Sequence, residues 1–205
     1  KEFEKEKIEI EERLTIQVRK LMGDTPINLN SPEQMSWVIY SRKPHDKTMW
    51  ANAFTPYMSK QHFNEVVSDT SDIVFKTKAV SCRECNGTGQ IRKVRKNGVL
   101  YSNTNKCLRC SAHGYLLDPT KVVAGLKFKA PSSKWISANG FGVSKTNLDM
   151  LQSMAKRTNM ESAVNFLTDV KRLSALDSYL SSFVEGIKAH VKTDGKLHVR
   201  LLQHR

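Results

Sequence analysis

Apolar residues recur on a helical period at both ends of the chain and lose that period in the middle. Residues 2–22 are rich in Glu and Lys and place Ile8, Leu14, Val18 and Leu21 on one helical face, which predicts a single helix. Gly23-Asp24-Thr25-Pro26 stops it. Ser31 then has the character of an N-cap, Pro32 suits the first helical position, and Gln34 completes a capping box. The helix they open carries Met35, Val38 and Ile39 and runs to about Tyr40. The helical period returns at Thr146, which is predicted to cap a helix over 148–156. Asn159 is predicted to cap a longer one over 160–191, and Asp194-Gly195 then turns the chain into an extended 197–202.

Between these ends the texture changes to aromatics, prolines and cysteines. A short helix is expected near 59–67. Residues 91–94 and 99–101 are strand-like, and Asn97-Gly98 between them favours a type I′ hairpin turn. The expected fold class is mainly α with a small β module, a helical frame interrupted by an inserted domain. The expected boundaries are 1–42, 43–139, 140–192 and 193–205.

All four cysteines lie in two C-x-x-C pairs, Cys82/Cys85 and Cys107/Cys110. This step lets two thiolates from one tight turn face a single ion, and two such turns supply a closed tetrahedral shell. One structural Zn²⁺ is the expected cofactor, and knuckle, hairpin, knuckle reads as a zinc ribbon. Disulfides fit poorly, because nothing marks the chain as secreted. A thioredoxin-like redox site needs one C-x-x-C opening a helix rather than two matched turns. No open coordination position is implied, so catalytic zinc is not expected, and His113 is read as a bystander of the second knuckle. The stretch from Cys82 to Gly89, C-R-E-C-N-G-T-G, resembles the C-x-x-C-x-G-x-G repeats of the J-domain co-chaperones. The second copy, C-L-R-C-S-A-H-G, has Ala112 where that pattern has glycine. Glycines after the second thiolate allow positive φ, so that backbone amides turn towards sulfur.

Charge changes the picture next. The chain has 33 Lys and Arg against 20 Asp and Glu, a net +13. Between positions 78 and 145 there are 13 basic residues and two acidic ones, Glu84 and Asp118, so this third of the chain carries +11. Such a density attracts polyanions and releases counterions when phosphates bind, which points to nucleic acid. Arg92, Lys93, Arg95 and Lys96 form the expected basic patch. No apolar run approaches the ~20 residues that span a bilayer, and no membrane partner is expected. The start at Lys1 rather than Met is read as a segment of a longer protein. No carboxylate pair, Gly-rich phosphate loop or nucleophile–base constellation suggests catalysis.

The frame carries a family resemblance. Ile27-Asn28-Leu29-Asn30-Ser31-Pro32-Glu33-Gln34 resembles the F-N-L-N-S-x-x-Q-L motif of the thumb of family A (DNA polymerase I-like, phage-type) DNA polymerases. Ser144-Lys145-Thr146-Asn147-Leu148-Asp149-Met150-Leu151 is similar to the S-T-S-x-x-V-L segment that opens the next thumb helix. Lys171-Arg172-Leu173-Ser174-Ala175-Leu176-Asp177-Ser178 resembles R-x-L-x-K-L-x-S, with Ala175 where the family has a basic residue and Arg172 one turn earlier. Gly195-Lys196-Leu197-His198-Val199-Arg200-Leu201-Leu202-Gln203 is similar to G-R-L-H-T-R-F-N-Q at the start of the palm. The four segments keep the family's order, and the resemblance spans roughly residues 9–42 and 140–205, about half of the chain.

The resemblance implies an elongated helical thumb that lies along the minor groove of a primer–template duplex. Asn28, Asn30, Ser31 and Gln34 would touch the sugar–phosphate backbone, as would Ser144, Lys145, Thr146 and Asn147 and, from the long helix, Lys171 and Arg172. Short amides, hydroxyls and helix N-termini donate to phosphate without reading sequence. It implies a DNA-directed DNA polymerase as the parent, with Mg²⁺ bound only in an absent palm, so this chain alone is expected to be inactive. The remainder of the polymerase is then a partner, in the cytoplasm of a bacterial or phage-infected cell. The 43–139 insertion would act as a clamp that raises processivity, or would dock a replisome protein through Trp50, Phe54, Tyr57 and Phe63. The alternative is a free-standing zinc-ribbon nucleic-acid-binding protein without polymerase activity.

Overall fold

The computed structural model describes residues 2–130, 132, 136–137, 140–184 and 186. In chain order the elements are α1 (Glu2–Met22), α2 (Pro32–Tyr40), α3 (Lys47–Phe54), α4 (Lys60–His62, continued by a π-type turn over Phe63–Val67), β1 (Phe75–Ser81), β2 (Gln90–Val94), β3 (Leu100–Lys106), β4 (Tyr115–Val123), the short β5 (Ile136–Ser137) and β6 (Gly140–Phe141), α5 (Lys145–Arg157) and α6 (Glu161–Tyr179, continued by a π-type turn over Leu180–Val184). The strands make three two-stranded antiparallel ladders, β1–β4, β2–β3 and β5–β6. Helices and strands both build the molecule, so the mainly α expectation is corrected to a mixed α/β architecture. No described helix is long and apolar enough to cross a membrane.

The chain divides into two compact units, residues 1–14 with 150–205, and residues 15–149. The sequence-based boundaries at 42/43 and 139/140 both fall inside the second unit.

In the first unit, three ion pairs tie the start of α1 to α6. Lys7 reaches Asp177 at 2.6 Å, Arg13 reaches Asp169 at 2.8 Å, and Arg172 reaches Glu6 at 2.7 Å. Ile10 and Leu14 are buried, whereas Ile8, which the sequence reading groups with Leu14, is exposed. Asn159 differs from its expected role. It adopts φ 53° and ends α5: the Met160 amide donates to the Ala155 carbonyl and the Asn159 amide to that of Lys156, a Schellman closure. Helix α6 starts behind Met160 with no side-chain cap. The expected helix extension over 187–191 and the palm-like segment 195–203 lie outside the described residues.

In the second unit, Ser31 caps α2 as expected, accepting from the Gln34 amide at 3.4 Å. Gln34 does not return the bond to Ser31. Its Oε1 accepts from the Asn28 amide at 2.6 Å instead, and thereby closes the preceding turn. Ser144, rather than Thr146, caps α5, its hydroxyl accepting from the Asn147 amide at 3.3 Å. Helix α3, which the sequence reading left without an element, is capped by Asp46 and buries Trp50 and Phe54. Trp50 packs edge-on against both Trp37 of α2 and Phe54, and Phe54 continues to Phe63. The aromatic side chains Trp50, Phe54 and Phe63 are therefore core, not surface anchors.

The β1–β4 ladder runs from Ser81 opposite Tyr115 to Phe75 opposite Val123, with an irregularity between Phe75 and Thr77. It is fastened to the end of α1. The Asp24 amide donates to the Thr77 carbonyl at 2.9 Å, the Ala79 amide donates to the Asp24 carboxylate at 2.8 Å, and the buried Thr25 and Thr77 hydroxyls lie 3.1 Å apart. Gly23 is required there: at φ 71°, a Cβ would sit 2.3 Å from the Thr77 carbonyl oxygen.

Candidate metal centre and basic hairpin

The two C-x-x-C turns lie between the ladders, joining β1 to β2 and β3 to β4, and their backbones repeat each other contact for contact. The Cys82 amide donates to the Gly114 carbonyl at 2.8 Å, and the Cys107 amide donates to that of Gly89 at 2.9 Å. Gly87 bonds back to Cys82 as Ala112 does to Cys107, both at 3.0 Å. The positive φ values match as well: Asn86 with Ser111 (50° and 48°), Gly87 with Ala112 (79° and 69°), and Gly89 with Gly114 (72° and 79°). The last pair turns its amides onto sulfur, Gly89 donating to Cys85 Sγ and Gly114 to Cys110 Sγ, each at 3.3 Å.

All four cysteines are free and buried, and their sulfurs lie within 4.8 Å of one another. The Cys82–Cys107 pair is separated by 3.9 Å and the Cys85–Cys110 pair by 3.7 Å. A disulfide requires about 2.05 Å. Metal–sulfur bonds of ~2.3 Å arranged tetrahedrally put the sulfurs about 3.8 Å apart, so these residues can hold a metal ion such as zinc. The electrostatics agree. Burial pushes the Cys82 thiol up and carries Cys110 up to about 12. At Cys85 burial acts in the same direction, but the Gly89 amide and the neighbouring thiols outweigh it and bring the group to about 7. Four thiolates cannot share this space unless a cation balances them, and binding one would release protons.

Beyond the knuckles stands the β2–β3 hairpin. Its turn is not the expected two-residue type I′. The Gly98 amide donates to Arg95, the Arg95 amide donates to Val99, and only Gly98 has positive φ, at 82°. This is a three-residue loop closed by a glycine bulge, in which Asn97 needs no left-handed conformation. Arg92, Lys93, Arg95 and Lys96 are all exposed, as are Val94 and Val99. From position 86 to 106 the chain contains five basic residues and no acidic one.

The other expected site residues are spread over both units. Asn28 and Asn30 are exposed, and Asn28 Oδ1 accepts from the Asn30 amide at 3.0 Å. Ser31 and Gln34 are half-buried and take part in the turn just described. Ser144, Lys145 and Thr146 are exposed in the first turn of α5, with Asn147 half-buried. In the first unit, Lys171 donates to Gln152 at 3.1 Å, and Arg172 holds Glu6. His113 stays outside the sulfur cluster, donating to the Pro56 carbonyl at 3.0 Å between the Tyr57 and Tyr115 rings.

The sequence reading missed His62. It is buried, with Arg109 3.3 Å from Nδ1 and Asp118 3.7 Å from Nε2. Burial first, and the Arg109 charge second, lower its pKa and favour the neutral ring. The only hint in the sequence is that Arg109 occupies a knuckle. Against protein-family models, curated proteins and solved structures the chain gives no match.

Proposed function

We propose that the chain grips nucleic acid without reading its sequence, as the thumb of a family A DNA polymerase, and that a zinc-stapled hairpin adds to the grip. The observation that carries the reading is the β2–β3 hairpin, an exposed ribbon with basic side chains and no carboxylate, mounted on the sulfur cluster. Phosphate contacts from such a surface position a duplex and supply salt-dependent affinity. The polymerase assignment is supported by the four ordered segments that resemble the family. It is also supported by the exposed amides, hydroxyls and Lys145 at the starts of α2 and α5. One Zn²⁺ held by Cys82, Cys85, Cys107 and Cys110 would keep the hairpin base rigid.

The test is binding of the metal-loaded chain to a primer–template duplex over a range of salt, read by fluorescence anisotropy. Neutralising Arg92, Lys93, Arg95 and Lys96 to glutamine should weaken binding and flatten the log–log salt slope by roughly 3 to 4, at ~0.9 per lost phosphate contact. An unchanged slope and affinity would remove the hairpin from the interface. A second reading, a zinc-ribbon nucleic-acid-binding protein without polymerase activity, is favoured by the matched backbone hydrogen bonds that join the two knuckles to each other. It expects Asn30→Ala and Lys145→Ala to leave duplex binding unchanged, whereas the thumb reading expects both to weaken it.

A further inference from the structure

From Arg92 to Val99 every residue of the hairpin is exposed, so among the described residues nothing covers either face of the ribbon. Successive side chains of a strand point to opposite faces. The ladder is irregular between Arg92, opposite Thr104, and Val94, opposite Leu100: β2 advances two residues there while β3 advances four. The surplus lies on β3, so the alternation along β2 runs through it. Arg92 and Val94 therefore share one face, and Lys93 and Arg95 share the other. Val99 joins the second face, opposite Arg95, whose amide donates to the Val99 carbonyl at 2.8 Å.

Each face thus pairs cationic side chains with a bare valine, Val94 being 61% exposed and Val99 54%. A ribbon lying flat on a polyanion needs cations on one face only. Cations on both faces, with no acidic residue from position 86 to 106, match a ligand that encloses the ribbon. Size decides which. A two-stranded ribbon with side chains on both faces is about 10 Å thick. The major groove of a DNA duplex, about 12 Å wide, admits it, whereas the minor groove, about 6 Å wide, does not. The major groove of an RNA duplex is deep and too narrow for side chains. The walls of the DNA groove are two sugar–phosphate backbones, with phosphates for the cations and deoxyribose carbons for the valines.

We propose that the β2–β3 ribbon enters the major groove of a DNA duplex, with Arg92 and Val94 against one backbone and Lys93, Arg95 and Val99 against the other. This placement rests on the hairpin being the nucleic-acid interface argued above, and adds how the duplex receives it. Contact with the groove walls rather than with base edges accords with a grip that does not read sequence.

The experiment uses the full metal-loaded chain and a DNA duplex, with anisotropy titrations over salt for each face separately. Arg92→Gln should lower the log–log salt slope by ~0.9, and Lys93→Gln with Arg95→Gln by ~1.8, the counterion release of one and of two phosphate contacts. Val94→Ser and Val99→Ser should each weaken binding about threefold to fivefold at an unchanged slope, since they remove apolar contact and no charge. Dimethyl sulfate footprinting locates the contact. Protection of guanine N7, in the major groove, should be lost in the hairpin quadruple variant, whereas reactivity at adenine N3, in the minor groove, should not change between the two proteins. A slope change from one face only, valine variants that bind like wild type, or a footprint change confined to adenine N3 would overturn the proposal and leave the hairpin interface standing. On an RNA duplex or a single strand the same substitutions should cost less. An equal cost on either would assign the ribbon to that ligand and overturn the groove. Affinity and slope indifferent to all of the substitutions would remove the hairpin interface itself.

Discussion

The β1–β4 and β2–β3 ladders meet at the same four cysteines and are held by different forces. β1–β4 buries Thr77, Leu116 and Leu117, and its outer end is locked to α1 through Asp24 and Gly23. β2–β3 has almost nothing to bury. Of the side chains described from Gln90 to Val99, only Ile91 is even half-covered, and residues 102–106 are all exposed. An isolated two-stranded ribbon is marginal in water. The difference teaches that the outer ladder belongs to the core, whereas the inner one depends on whatever clamps its base. A charged ribbon can thus stand clear of the protein surface without a hydrophobic face of its own.

The largest effect should come from removing the clamp. In the chain loaded with Zn²⁺, Cys107→Ser is expected to abolish stoichiometric metal binding, and chelation to strip the site. The sulfur cluster would then lose a term that is ~10 kcal/mol or more for structural zinc in small domains. Hydrogen exchange would separate the two ladders. Amides of β2–β3 should become unprotected, while those of β1–β4 near Leu116 and Leu117 keep most of their protection. Equal loss in both would show that the metal stabilises the whole unit, and equal retention would show that the hairpin needs no clamp. Acidification should act like mild chelation. Protons compete for thiolates that burial already disfavours at Cys82 and Cys110, so metal affinity falls as pH falls.

A middle-sized effect is expected where the two knuckles touch. A Cβ on Gly89 would lie 2.2 Å from the Ala112 carbonyl oxygen, and one on Gly114 would lie 2.2 Å from that of Gly87. Both glycines also have positive φ, and both amides point at sulfur. Gly89→Ala or Gly114→Ala should therefore lower metal affinity by about 10- to 100-fold, the usual cost of losing an outer-shell partner. Thermal unfolding with and without metal would show whether the damage is confined to the cluster. Gly98→Ala in the hairpin turn makes a useful contrast, since a Cβ there meets nothing within 4 Å and only the φ of 82° opposes it.

What was legible in the sequence follows the range of the signal. The sulfur cluster, the hairpin, α1 and the Ser31 cap were all readable, because C-x-x-C spacing, Asn-Gly and a capping serine act over a few residues. β1 and β4 were not, because each acquires its partner only across the intervening ribbon, and β4 carries Asp118-Pro119 within its run. Asn159 was misread for a chemical reason: asparagine serves equally as an N-cap and as a left-handed C-terminal residue, and the residues of α5 decide between them. Thr146 lost to Ser144 because two hydroxyl residues two positions apart offer the same cap. His62 was invisible, since its significance depends on Arg109, 47 positions away.

The smallest effect would probe one chemical difference between the knuckles. Gly87 and Ala112 occupy equivalent positions at φ 79° and 69°, yet only one is glycine. A Cβ in the left-handed region costs ~1–2 kcal/mol, whereas glycine adds unfolded-chain entropy costing about 0.4–1 kcal/mol. Ala112→Gly should therefore stabilise the metal-bound protein by about 0.5–1 kcal/mol, within the range that denaturant unfolding resolves. The reverse change, Gly87→Ala, should destabilise it by more than that gain. Its Cβ would meet the Ser81 hydroxyl at 2.8 Å in addition to the backbone strain. If Ala112→Gly instead destabilises, the Ala112 methyl must contribute packing that Gly87 lacks. The two turns would then be alike in backbone and hydrogen bonding but not in how their environments hold them.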